Sequence, residues 1–240
     1  MRFIDWFPYY QDIRQQFGYS TEKDQEAANL LSNMIRRKAL DIKVLHKKIA
    51  GKQVLAIGAG DGLIAEIEFI RKGRRFVKVV ADGATQFLLE NHIKPDIVVT
   101  DLDGDPFFLR KADRAGAILI VHSHGDNVNM LKKIVPTVRH VIGSTQVMPV
   151  RNVYNFGGFT DGDRCVFLAD EFEAKEIVLV GMEFGGKVGK YSKKAGKNIQ
   201  LKRDKMKVGK RLLEMLAKHS RSRLFDTSQR PVRGFKPLIV

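Results

Sequence analysis

Cysteine occurs once in the 240 residues, as Cys165, which excludes an intrachain disulfide and leaves no material for a cysteine-built metal site. A lone thiol of this kind defaults to a small buried apolar side chain. Long hydrophobic runs are missing too. Stretches such as 117–121 and 177–180 fall far short of the roughly 20 apolar residues that span a bilayer. The opening residues, Met1-Arg2-Phe3-Ile4-Asp5-Trp6, mix charges with aromatics and lack the apolar core of a signal peptide. Both absences predict a cytoplasmic protein without a membrane partner. Acids are in deficit, 27 against 42 Lys and Arg, for a formal net charge of +15. Much of the excess is local, because residues 186–211 hold eleven Lys and Arg against the single acid Asp204. Such a segment fits a solvated face, a nucleic-acid contact or a loop closing over polyphosphate, and its confinement argues against a nucleic-acid coat over the whole molecule.

Two compositional regimes follow one another along the chain. Residues 1–50 read as helical: an aromatic stretch precedes a capping signal at Thr21 with Asp24 three residues on, and Ala27, Leu30, Leu31, Met34 and Ile35 recur at helical spacing. This segment is expected to cover the sheet or to form a homodimer interface. From residue 51 to 240, short apolar runs at 54–57, 77–80, 97–99, 118–121, 138–142 and 177–180 alternate with amphipathic stretches. That alternation predicts an α/β fold, a mostly parallel Rossmann-like sheet with helices on both faces, plus the N-terminal helical extension. A basic loop at about 186–204, a helix from about 205 to 218 and a polar tail complete the reading.

Nearly all the distinctive polar residues stand where the apolar runs end, the edge at which open α/β sheets bind ligands. After Ile97-Val98-Val99 come Asp101, Asp103 and Asp105 at alternate positions. Like charges so close repel and raise one another's pKa, and a cation among them relieves this. Magnesium takes oxygen ligands and is commonly held by one or two carboxylates together with substrate phosphates. An acidic helix cap before Pro106 is the bland alternative, but a cap needs one Asp, not three. Asp126, within His122-Ser123-His124-Gly125-Asp126-Asn127, either completes the cation site or caps the next helix. His122 and His124 are expected to hydrogen-bond substrate. In the turn of residues 157–164, Asp161 and Asp163 precede Arg164, whose guanidinium matches phosphate in a bidentate fork.

Gly58-Ala59-Gly60-Asp61-Gly62 follows the first strand, and glycines there let backbone amides approach a phosphate or nucleoside. With Asp82 about twenty residues later as a ribose-binding acid, the same residues also resemble the first motif of S-adenosylmethionine-dependent methyltransferases. That reading gives no task to the acids after Val99.

Taken together, Ala81-Asp82-Gly83-Ala84, the run of residues 95–105, His122 to Asn127 and Gly158 to Arg164 resemble the archaeal 6-hydroxymethyl-7,8-dihydropterin pyrophosphokinase family, the MptE-like proteins. They are similar, more distantly, to thiamine pyrophosphokinases, from which the chain departs at Thr100, at Gly104 and in its helical N-terminus. The resemblance implies transfer of diphosphate from ATP to the hydroxymethyl group of a pterin, with release of AMP. It implies magnesium on Asp101, Asp103, Asp105 and Asp126, with Asp101, Asp103 and Asp126 carrying the catalysis. Gly58, Gly60, Asp82, Gly83, His122, His124, Asp161, Asp163, Arg164 and Lys190 are the expected substrate contacts.

Overall fold

The computed structural model describes residues 3–184 and 199–240. Three helices come first: α1 (Phe3–Phe17), α2 (Thr21–Ile35) and α3 (Lys43–Ile49). The α2 cap is Ser20, whose hydroxyl accepts the Lys23 N–H at 3.2 Å, so Thr21 is already helical. There follow β1 (Gln53–Ile57), α4 (Ile67–Lys72), β2 (Val77–Ala81), α5 (Asp82–Glu90), β3 (Ile97–Thr100), α6 (Pro106–Arg114), β4 (Ile118–Ser123), α7 (Val128–Ile134) and β5 (Val141–Thr145). The chain continues through β6 (Val153–Tyr154), α8 (Asp161–Glu171), β7 (Glu176–Val180), α9 (Ile199–Leu216), β8 (Arg223–Asp226) and β9 (Lys236–Pro237).

The strands form one sheet in the order β6-β5-β4-β3-β2-β1-β7-β8-β9, and every ladder is parallel. The expected α/β class is what the chain adopts. Alternate strand residues face opposite sides, and both sides are buried: Val54 and Ala56 join one core, Leu55 and Ile57 the other. Trp6, Tyr10, Ala27, Leu31, Ile35, Leu45 and Ile49 belong to the first of these cores. The N-terminal helices therefore cover the sheet, and their apolar faces are part of its interior. No helix among the described residues is long and apolar enough to cross a membrane.

Three boundaries differ from the sequence reading. The fifth strand starts at Val141 and not at Val138, because a 3₁₀ turn occupies residues 135–137 and the N–H groups of Arg139 and His140 then donate to the buried Asp113, not to a neighbouring strand. The last helix begins at Ile199. The polar tail holds β8 and β9, short strands of four and two residues, β9 being the sheet's edge, with too little apolar content to announce themselves.

Strand order turns at β1, which has β2 on one side and β7 on the other. A crevice opens at such a switch point, outside the carboxyl ends of the strands.

Candidate active site

Four carboxylates converge at that edge. Asp82 is the first residue of α5, Asp101 and Asp103 lie in the loop after β3, and Asp161 is the first residue of α8. One oxygen from each lies within 4.8 Å of the others. Leu102 makes this geometry: it has φ of 67° and is fully buried, so the chain turns about an anchored apolar side chain and Asp101 and Asp103 stand on either side of it. The left-handed conformation costs a leucine roughly 1–2 kcal/mol, offset here by burial and by the Leu102 N–H donating to Thr100 Oγ1 at 2.8 Å. Asp82 is itself buried, accepting the Thr100 hydroxyl and, at 3.1 Å, the Gly104 N–H on the same oxygen. A Cβ at Gly104 would fall well inside contact distance of Asp82 Oδ1, so any side chain at this position must displace the Asp82 carboxylate.

Asp161 Oδ1 is buried and has no hydrogen-bond partner among the described residues. Arg164 Nη1 stands 3.9 Å away. Burial, and then the charges of Asp101 and Asp82, push the Asp161 carboxyl well above its usual range.

Three acids named from sequence lie outside the convergence. Asp105 is the N-cap of α6, its Oδ1 accepting the Phe107 N–H at 2.8 Å. Past Leu102 the chain no longer runs extended, so alternate positions no longer share a side. Asp126 sits in the 3₁₀ turn of residues 125–127 with its side chain 74% exposed, 4.0 Å from His124 Nδ1. Asp163 is buried in the cap of α8, accepting the N–H groups of Phe159 and Thr160 at 2.6 and 2.7 Å. The structure gives it a structural role and no place on the cleft wall.

His122 lies beneath the cleft and does not line it. Its Nε2 is 2.8 Å from Arg164 Nη2 and its Nδ1 is 3.1 Å from Ser144 Oγ. A guanidinium only donates, so Nε2 is the acceptor and the ring proton resides on Nδ1. Burial, then Arg164, then His124 hold the His122 pKa well below its ordinary value. His124 accepts the Asp126 N–H on Nδ1 at 3.3 Å, closing the local turn, and burial lowers its pKa as well.

The glycine turn after β1 is occupied by protein. Gly58 N–H donates to Val180 O at 2.8 Å, Gly60 N–H to Gly181 O at 2.7 Å, and Gly62 N–H to Glu183 Oε1 at 2.9 Å. A Cβ at Gly60 would overlap the Glu183 carboxylate. The turn thus cradles a carboxylate at the place where a phosphate or nucleoside was expected, and Asp82 faces other acids, not a ribose site. Both observations remove the support for the methyltransferase motif.

The cleft enclosed by these groups has a volume of about 450 Å³. Gly83, Asp101 and Asp103 line it after β2 and β3, beside Asp161, while Gly58, Gly181 and Glu183 line it after β1 and β7. Arg164 and, from α9, Lys202 and Lys205 supply positive charge, while Phe159, Met182 and Phe184 supply apolar wall. Lys205 Nζ also lies 5.6 Å from the Tyr19 ring centroid and 5.8 Å from that of Phe159, within reach of cation–π attraction. Lys190 and most of the basic loop lie outside the described residues.

A family model described as 6-hydroxymethylpterin diphosphokinase MptE-like matches residues 26–189. The chain belongs to this MptE-like family. A Pyrococcus furiosus protein named 6-hydroxymethyl-7,8-dihydropterin pyrophosphokinase is 43% identical over 235 residues, covering 95% of this chain and 100% of that one. Proteins of the same name from Methanocaldococcus jannaschii and Methanothermobacter thermautotrophicus are 42% and 37% identical, covering 79% and 91% of this chain and 83% and 97% of theirs. Among solved structures, the MAf glycosyltransferase of Magnetospirillum magneticum aligns with a TM-score of 0.50 at 15% identity, over 87% of this chain and 38% of that one. This last likeness is one of fold alone.

The MptE-like match takes in all four converging acids and Glu183, and ends before α9. Lys202 and Lys205 came only from the structure; in sequence they fell at the end of the expected basic loop and the start of the expected last helix. Thr100 and Gln146, which hold Asp82 and face Arg164, carried no signal beyond polarity at a strand end.

Proposed function

We propose that this MptE-like protein transfers the terminal diphosphate of ATP to the hydroxymethyl oxygen of 6-hydroxymethyl-7,8-dihydropterin, releasing AMP, with magnesium as its cofactor. Family membership supports the reaction, and the converging acids support the metal. Asp82, Asp101, Asp103 and Asp161 offer oxygens alone, the donor type magnesium prefers, and the orphaned Asp161 Oδ1 fits a missing positive partner. These four would hold the ion; Asp105 and Asp126 do not reach it. When bound, magnesium neutralises charge on phosphate oxygens.

The acceptor oxygen attacks the β-phosphorus, the bond from that phosphorus to the bridging α,β-oxygen breaks, and the bridging oxygen departs on AMP. The hydroxyl proton leaves to solvent or to a phosphate oxygen. The transition state is loose, so no strong base is required, and positioning with charge stabilisation does most of the catalysis. Arg164 fits the role of a fixed donor to phosphate oxygens beside the acids, and Lys202 and Lys205 that of cations along the polyphosphate. Asp101 and Asp103, held by the Leu102 turn, keep the charge at one end of the cleft.

The observation carrying this reading is the meeting of four carboxylates, one with an unpartnered oxygen, beside Arg164. The test is incubation of the protein with ATP, magnesium and the pterin, with the nucleotide product identified. AMP and a diphosphorylated pterin are expected, and both vanish on chelation. ADP as product, or undiminished turnover in chelator, overturns the proposal.

A further inference from the structure

Arg164 is gripped from behind by a buried polar chain that ends in the N-terminal helices. Its Nη2 is 3.4 Å from Gln146 Oε1 as well as 2.8 Å from His122 Nε2. Gln146 donates its Nε2 to Asp24 Oδ2 at 2.7 Å. Asp24, on α2 and 3% exposed, also accepts the Tyr10 hydroxyl of α1 at 2.9 Å and the Gly125 N–H at 2.8 Å. The Trp6 indole N–H donates to the Gln146 backbone oxygen at 2.9 Å. Burial raises the Tyr10 pKa, and Asp24 raises it further, so the phenol stays a donor.

We infer that α1 and α2 belong to the working parts of the cleft: through Asp24 and Gln146 they position the Arg164 guanidinium for the nucleotide's phosphates. A carboxylate only accepts, so Asp24 takes the NH₂ of Gln146 and leaves the amide oxygen to face Arg164. Asp24 thereby fixes which way the amide points, and the amide fixes the arginine. The need is electrostatic. With Asp161 Oδ1 only 3.9 Å from Nη1, an unheld guanidinium would swing onto the acids and be lost to phosphate. His122 and Gln146 supply two neutral acceptors on the far side and hold it short of that pairing. Asp24 and Gln146 are positioning residues, and their assignment rests on Arg164 binding phosphate in the proposed reaction.

The test is a double-mutant cycle on the full chain. Gln146→Met keeps length and removes the acceptor; it is made in the wild type and in Arg164→Lys, with magnesium-dependent ATP affinity by calorimetry, KM for each substrate, kcat and melting temperature measured. In the wild-type background the substitution is expected to weaken ATP binding about tenfold with pterin KM unchanged. In the Arg164→Lys background it is expected to change ATP binding less than twofold, while the melting temperature falls equally in both. Equal weakening of ATP binding in both backgrounds, or a rise in pterin KM alone, overturns the inference. Should Gln146→Met not fold, Tyr10→Phe, which deletes one hydroxyl from the same chain, is expected to show the same pattern at about twofold; equal effects in both backgrounds again overturn it. Absence of AMP release by the wild type would count against the proposed reaction and leave the nucleotide-affinity cycle readable.

Discussion

The two ends of the cleft face the same difficulty and resolve it differently. At the β1/β7 end, Glu183 sets a half-buried carboxylate against the glycine turn: the Gly62 N–H donates to its Oε1, while Oε2 has no hydrogen-bond partner among the described residues. At the β2/β3 end, four carboxylates face one another, and Asp161 Oδ1 has no hydrogen bond among the described residues, only the Arg164 guanidinium 3.9 Å away. One end holds a single carboxylate on a backbone N–H, the other gathers four, the set proposed to hold magnesium. A glycine-rich turn in a sequence thus reports a close approach of some oxygen to the backbone, not whose oxygen it is. The largest effects should fall at the four-acid end. Replacing both Asp101 and Asp103 with Asn is expected to reduce AMP release by roughly 100-fold or more, the scale of losing a main electrostatic contact in a transition state. The melting temperature without metal should hold or rise, since like charges are removed. Glu183→Gln keeps an acceptor for Gly62 and is expected to leave AMP release within about threefold. Equal losses at the two ends would erase the distinction.

Glycine substitutions sharpen the same contrast at smaller cost. Gly104→Ala drives a methyl into the Asp82 carboxylate, so turnover is expected to fall about tenfold, as for a misplaced catalytic group, with little change in melting temperature. Gly60→Ala meets both the Glu183 side chain and, at 2.7 Å, the Gly181 carbonyl oxygen. Here the neighbour is backbone, and overpacking should destabilise the fold by about 1–3 kcal/mol with less effect on turnover per folded molecule. Melting curves and single-concentration AMP assays on both variants separate the two outcomes.

What sequence could convey followed from local geometry. Asp101 and Asp103 were legible because they follow an apolar strand directly, and the sheet was legible because parallel strands buried on both faces read as unbroken apolar runs. Asp105 and Asp126 have the same residue type at equally suggestive places, and only the turn at Leu102 and the exposure of the 3₁₀ turn separate them from the cluster. Asp82 and Asp161 were recognised as site residues but not as partners of Asp101, because their meeting depends on strand order, which no window of residues contains. Gln146 and Asp24 lie 122 positions apart, and a single buried amide between them has no sequence signature at all. The strands β8 and β9 escaped for a different reason: toward the sheet's edge, short segments need little apolar character to pair.

The smallest effect sets His122, beneath the cleft, against Glu183 through their opposite responses to pH. Burial, followed by Arg164 and His124, depresses the folded-state pKa of His122, so the unfolded chain binds this proton more readily than the native protein does. The stability at stake is therefore present above about pH 6.5, the unfolded value, and is lost as pH falls through 6.5 toward the depressed folded value. Glu183 runs the other way. Burial raises its pKa, so its contribution is present below its unfolded value and is lost as pH rises through the folded one. His122→Gln abolishes the first response. Between pH 6.5 and 5.5 the wild type should lose about 1 kcal/mol more stability than this variant, the linkage expected for one proton taken up only on unfolding. Denaturant titrations at the two pH values measure the difference directly. Parallel losses in both proteins would mean that His122 already carries its proton in the folded state, and Nε2 would then face Arg164 as a second cation and not as the acceptor that holds it.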